Sequence, residues 1–260
     1  MTATARYDEI GLSYHQSRQP DPRIAAQVRA ALGHAQTIVN VGAGAGSYEP
    51  SGRRLAAVEP SAVMLAQRPA TAAPGVRAVA EALPFGDQSF DAGLAILTVH
   101  HWSDAARGLA ELRRVAARIV ILTTEAERIN RLWLTADYFP GSARARRPDI
   151  QPRSIAAILG GEVRIETVLV PHDCTDGFGE AYWARPEAYL DPAVRAGMSA
   201  CSLLTPDEVA DGVRRLSADL ASGRWDGRHG HLRALTALDT GHRLIIATCR
   251  ARRAAGNDAT

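Results

Sequence analysis

A chain of 260 residues, 46% hydrophobic and 22% charged, has the length for one large α/β domain or for a core domain carrying an insertion, and the composition of a globular protein. Its net charge of +2, from 30 basic and 28 acidic residues, supplies no chain-wide attraction for nucleic acid or an anionic membrane. All the basic residues are arginine, so a phosphate loop closing on Gly-Lys-Ser/Thr is excluded.

The three cysteines, Cys174, Cys201 and Cys249, are odd in number and lack C-x-x-C spacing, which sets up neither a disulfide framework nor a zinc site. The N-terminal MTATARYDEI carries charge where an export signal needs an apolar stretch, and no window approaches the roughly 18 apolar residues of a membrane span. A reduced, cytoplasmic protein with no membrane and no nucleic-acid partner is expected; oligomeric state is not legible.

Residues 1–22, including YDEIGLSYHQSR, show no strong helical pattern. DPRIAAQVRAAL (21–32) then places Ile24, Val28 and Leu32 on one face behind an Asp-Pro start, which predicts an amphipathic helix. TIVNV, RLAAVE (54–59), VRAVA (76–80), FDAGLAIL (90–97) and RIVILTT (118–124) are candidate strands, separated by helical stretches such as PSAVMLAQR and DAARGLAELRRVA. PRSIAAILGG predicts a further helix, and EVRIETVLV and HRLIIATCR (242–250) two more strands. Seven apolar strands alternating with helices predict a doubly wound, Rossmann-like, mostly parallel sheet. The intervening segment is too long for an ordinary connection and predicts an inserted helical cap. The expected division is a lid segment at 1–22, a core at 23–170 and 242–253, and a cap at 171–241.

The first strand breaks into VGAGAGSY. Gly42, Gly44 and Gly46 let the backbone approach a ligand, because positive φ is open to glycine and no side chain intervenes. A dinucleotide fingerprint wants Gly-x-Gly-x-x-Gly/Ala; here Ser47 holds the sixth position and Gly46 the fifth, which disfavours NAD. The next strand ends at Glu59, where a carboxylate can accept both hydroxyls of a ribose lying across the sheet edge. A surface Glu before a proline turn is the plainer alternative.

Three separated segments, VNVGAGAGSYE, AAVEPSAVMLAQR and AEALPFGDQSFDAGLAILTVHHW, followed by LAELRRVAARIVILT, resemble the class I S-adenosylmethionine-dependent methyltransferases. The resemblance spans about residues 36 to 124 and is nearest to the small-molecule, type 11 branch related to quinone biosynthesis. It implies S-adenosyl-L-methionine as cofactor and S-adenosyl-L-homocysteine as product. Gly42, Ala43, Gly44 and Gly46 would face the methionine part, Glu59 and Pro60 the ribose, Ser61 and Met64 the adenine neighbourhood, and Ala80 and Glu81 the adenine edge. Leu97 to His101 would border the methyl group, and the N-terminal segment would fold over the cofactor with Tyr7, Tyr14 and Arg18, the last a partner for the cofactor carboxylate. Two positions depart from the family: Asn40 stands where an acid is usual and Val79 where an Asp is usual.

For proton transfer the candidates are His101, preferred, then His100, Tyr14 and His172. Strand alternation would send the rings of His100 and His101 to opposite faces; packing beside Trp102 is the alternative role. The segment 171–192 concentrates His172, Asp173, Asp176, Phe178, Tyr182, Trp183, Arg185 and Tyr189, which suits either an aromatic substrate pocket or a cap packed onto the sheet. No metal site is expected. RWDGRHGHL (224–232) is expected as a glycine-rich turn. Together these features predict transfer of a methyl group to an O, N or C nucleophile of a small, cyclic metabolite. The alternatives are non-methylating use of the same cofactor such as cyclisation, an NAD(P)-dependent oxidoreductase, and a non-catalytic binding protein.

Overall fold

The computed structural model describes residues 18–249. Helix α1 (Pro22–Leu32) starts at buried Asp21, whose carboxylate accepts from the Arg23 amide at 2.9 Å, and Pro22 takes the first turn. There follow β1 (Thr37–Val41), β2 (Arg54–Val58), α2 (Ala62–Ala66), β3 (Gly75–Val76), β4 (Phe90–Ile96), α3 (Ala105–Val115), β5 (Ala116–Thr124) and α4 (Ala126–Arg131). After α5 (Pro152–Leu159) come β6 (Glu162–Pro171) and, beyond the cap, β7 (Ala237–Thr248). The seven strands lie in the order β3-β2-β1-β4-β5-β7-β6, with only β7 antiparallel to its neighbours.

Period-two alternation decides which side chains fill which layer. On β5, Ile119 and Ile121 join α3 and α5 through Leu109, Leu112, Ile155 and Leu159, while Val120 and Leu122 face α1 and the cap. On β7, Ile245 and Leu244 divide the same way. Both faces are covered, which is why these strands read as continuous apolar runs.

Three local expectations are corrected. The third strand is two residues long rather than spanning 76–80: it pairs with β2 alone, and Val79 and Ala80 leave the ladder to line a cavity. The last strand begins at Ala237, before residue 242, so the segment between β6 and β7 is 172–236. The stretch 224–232 is not a turn but a helix and a 3₁₀ turn, because Trp225 is fully buried and holds it down.

The cap carries α6 (Pro192–Ala196), α7 (Pro206–Ala221) and α8 (Arg224–His229). The chain after β5 packs into it. Trp133 meets Tyr138, Tyr189 and Trp225 edge-on with centroids 5.8, 5.6 and 5.2 Å away. The Trp183 indole donates to the Val170 carbonyl (3.0 Å) and the Tyr189 hydroxyl to that of Gly179 (2.8 Å). Trp183 and Tyr189 are therefore core, continuous with the sheet, and the packed-cap alternative holds for them.

Candidate functional site

At the carboxyl ends of β1, β2 and β4 the sheet edge opens into a cavity of about 330 Å³. The glycine turn forms its floor. Gly42 sits at φ +71°, and a Cβ there would lie 2.0 Å from the Thr98 hydroxyl, so both conformation and space demand glycine. Gly44, at φ +52°, turns its amide to Glu59, which accepts through Oε2 at 2.9 Å; the other carboxylate oxygen accepts from the Ser61 amide, also at 2.9 Å. The buried Glu59 carboxylate thus ties turn to strand tip while lining the cavity.

Asn40 lines the same cavity. Its Nδ2 donates to Glu49 Oε1 at 3.0 Å, and Glu49 in turn pairs with Arg68 at 2.8 Å. The acid missing at position 40 is thereby present one residue layer behind, neutralised by Arg68. Asn40 Oδ1 is buried without a protein partner among the described residues, an acceptor held ready for a donor. Across the cavity, Glu81 accepts from Ser103 Oγ (2.8 Å) and the Asp104 amide (3.0 Å). Burial works to raise its pKa, but these hydrogen bonds outweigh it and hold the carboxyl below its ordinary value. Val79, in place of the usual Asp, leaves this rim apolar.

A second cavity, about 90 Å³, lies beneath the cap at the ends of β4, β5 and β7. Arg18, Leu97 and His101 border both cavities. Leu97 has φ +49°, unusual for a residue with a side chain, so strain is stored at the shared wall. That reversal also overturns the expectation that His100 and His101 point apart. The strand ends at Ile96, Val99–His101 form a 3₁₀ turn, and the two imidazoles lie against each other with centroids 3.9 Å apart, tilted by 49°.

Of the expected cofactor residues, Arg18, Gly42, Ala43, Gly44, Glu59, Pro60, Met64, Ala80, Glu81 and Leu97 line the first cavity. Ser61 instead caps α2, accepting from the Met64 amide at 3.2 Å, and Gly46 sits behind the turn beside Arg68 and Glu49. Arg18 also donates to buried Asp176, through Nε at 2.7 Å and Nη2 at 3.3 Å, tying the entry segment to the cap. His101 borders both cavities and His100 the second. His172 is brought to neither: half-exposed, its Nδ1 lies 3.2 Å from the Thr236 carbonyl oxygen. Tyr7 and Tyr14 lie outside the described residues. Thr98, within the expected Leu97 to His101 stretch, lines the first cavity, whereas Trp102 went unremarked as a cavity residue because its place at the rim exists only in space. Among the described residues no group of three His, Cys, Asp or Glu suits a metal ion, and no helix is long and apolar enough to cross a membrane.

Sheet order, glycine turn and carboxylate at the second strand tip define a class I methyltransferase-type α/β fold. The comparisons with known proteins agree. A family model described as a methyltransferase domain matches residues 39–121. A solved structure from Anabaena variabilis, named for a methyltransferase of an antibiotic biosynthesis pathway, is 34% identical, with 90% of this chain and 99% of that one covered and a TM-score of 0.83. The chain belongs to the type 11 family of class I S-adenosylmethionine-dependent methyltransferases. Fold similarity extends to a SAM-dependent methyltransferase from Thermotoga maritima (13% identity, 95% and 100% covered, TM-score 0.57). It extends equally to the cyclase SpnF (15% identity, 95% and 97% covered, TM-score 0.56). No curated protein matches the chain.

Proposed function

We propose that this protein binds S-adenosylmethionine in the first cavity and transfers its methyl group to a small-molecule acceptor held in the second. One observation carries the reading: the glycine turn and Glu59 line a cavity that shares the wall of Leu97 and His101 with a cavity under the cap. The residues fit the cofactor. Asn40 Oδ1, buried and without a partner among the described residues, suits an ammonium; Gly42 and Gly44 admit an approach that a Cβ would block; Glu59 accepts ribose hydroxyls while remaining fixed by Gly44 and Ser61. The apolar rim of Val79, Ala80 and Trp102 suits the face of an adenine.

When bound, the cofactor supplies an electrophilic methyl group on a sulfonium. The chain's contribution is mainly alignment of the acceptor with that methyl, since in-line displacement needs little beyond position. Leu97 and His101 line both cavities, which supports a reading in which His101 takes a proton from the acceptor nucleophile. The resemblance to SpnF, at 15% identity, concerns the fold and lends no support to cyclisation.

Calorimetry of wild type and Glu59→Ala with S-adenosylmethionine, S-adenosylhomocysteine and NAD tests the reading. Micromolar binding of the first two, lost in the variant, is expected; preference for NAD overturns it.

A further inference from the structure

The second cavity has polar groups that the other described residues leave under-satisfied. Glu180 lines it at 9% exposure, yet among the described residues its carboxylate takes a single side-chain hydrogen bond, from Arg146 Nη2 at 3.4 Å. An ionised carboxylate offers about four acceptor positions, and a buried one normally fills several. Arg146 is engaged elsewhere, donating to the Ser142 carbonyl at 2.8 Å and reaching Thr135 Oγ1 at 3.5 Å. On the same wall His242, 1% exposed, turns Nδ1 toward Thr240 Oγ1 at 3.0 Å and leaves Nε2 with no partner among the described residues.

The remaining charges around the cavity are matched. Arg18 pairs with Asp176 at 2.7 Å and Arg147 with Asp149 at 2.5 Å, while Arg146 has Glu180 itself, at 3.4 Å, as its carboxylate partner, so an anionic ligand must compete with Glu180 for Arg146, whereas a donor meets a carboxylate with acceptor positions to spare. Leu97, Ile129, Ile150 and Phe178 supply the apolar walls, with the Phe178 ring 4.5 Å from that of His242. At about 90 Å³ the space is smaller than the roughly 150 Å³ cavity known to hold benzene, so it takes the substituted edge of a ring, with the rest directed toward Leu97 and His101.

We infer that the acceptor is anchored by hydroxyl or amine hydrogens donated to the Glu180 carboxylate, with His242 Nε2 as a second contact, and that it carries no anionic group at this end. The inference takes from the proposed function only that the occupant is a methyl acceptor. Burial lowers the His242 pKa, with Glu180 and Asp176 opposing and Arg18 and Arg243 reinforcing, so a neutral imidazole faces the ligand.

The probes are catechol, benzylamine and benzoate, titrated by calorimetry into full-length protein with and without saturating S-adenosylhomocysteine. Catechol or benzylamine is expected to bind at least tenfold more tightly than benzoate. Glu180→Gln should weaken the better donor probe at least tenfold while leaving S-adenosylhomocysteine affinity within twofold, and His172→Gln, remote from both cavities, should change neither. Equal or tighter binding of benzoate, no binding of either donor probe, or a Glu180→Gln protein that binds within twofold of wild type overturns the inference. Should Glu180→Gln fail to fold, ¹⁵N-histidine resonances of wild type decide: the His242 signal moves when the better donor probe saturates, and an unmoved signal overturns the inference. Absence of S-adenosylhomocysteine binding in wild type would overturn the proposed function instead, and the probe titrations without it would still judge Glu180.

Discussion

The two cavities share a wall but are built by opposite means. The first is centred on backbone: a turn of glycines after β1, joined by Glu59 to the tip of β2 within twenty residues of sequence, with side chains from the ends of β3 and β4 and Arg18 completing it. The second is mostly side chains, gathered from Arg18, the chain after β4, β5 and the chain after it, the cap and β7. A site made by backbone geometry tolerates little substitution, because positive φ and close approach are properties of the residue itself. A site made by side chains on a packed cap can change its chemistry while the scaffold stays put.

The sharpest way to break this contrast is Gly42→Ala. Positive φ and the collision with Thr98 should together cost about 2–4 kcal/mol and raise the dissociation constant for S-adenosylhomocysteine about 100-fold, with part of the loss regained in the double variant Gly42→Ala/Thr98→Ala. Equal binding by the single variant would mean the turn is softer than its geometry indicates. Glu59→Ala comes next: it strips acceptors from the Gly44 and Ser61 amides as well as from the ribose, and isothermal titration should register at least a tenfold loss.

A cap variant should behave differently. Asp219, buried, accepts from the Tyr138 hydroxyl at 2.8 Å and Arg224 at 2.7 Å and pairs with Arg228. Asp219→Ala should cost about 2 kcal/mol, seen as a melting temperature lower by about 4–8 °C. Cofactor affinity should stay within twofold; a large change would show that cap and turn are one cooperative unit. The last effect concerns acid. Hydrogen bonds from Arg23 and Thr175 outweigh the burial that would raise the pKa of Asp21 and bring it down to about 2. A folded value below the unfolded one stabilises above about pH 4, and that contribution fades as pH falls from 4 to 2. Wild type should therefore lose roughly 2 kcal/mol more than Asp21→Asn over that interval, measured by urea titration at each pH.

Sequence legibility follows the same divide. The Asp-Pro start of α1, the alternation in β5 and the glycine turn are local signals, and each element formed within a few residues of its expected place. The contact between His100 and His101 was missed because an unusual φ at Leu97 ends the strand early, a reversal no residue type announces. His172 resembled a site residue by its neighbours, yet the turn after β6 points it outward.

By itself the sequence determined the strand and helix periodicity, the need for glycine at the turn and the carboxylate at position 59, since these depend on φ preference, alternation and spacing along one segment. Only the tertiary structure decided that Glu49 stands behind Asn40, that Trp183 and Tyr189 are core while Phe178 lines a cavity, and that Glu180 and His242 share a wall. Those pairings join residues from 9 to more than 60 positions apart, and burial, which decides what each side chain can do, is a property of the packed chain.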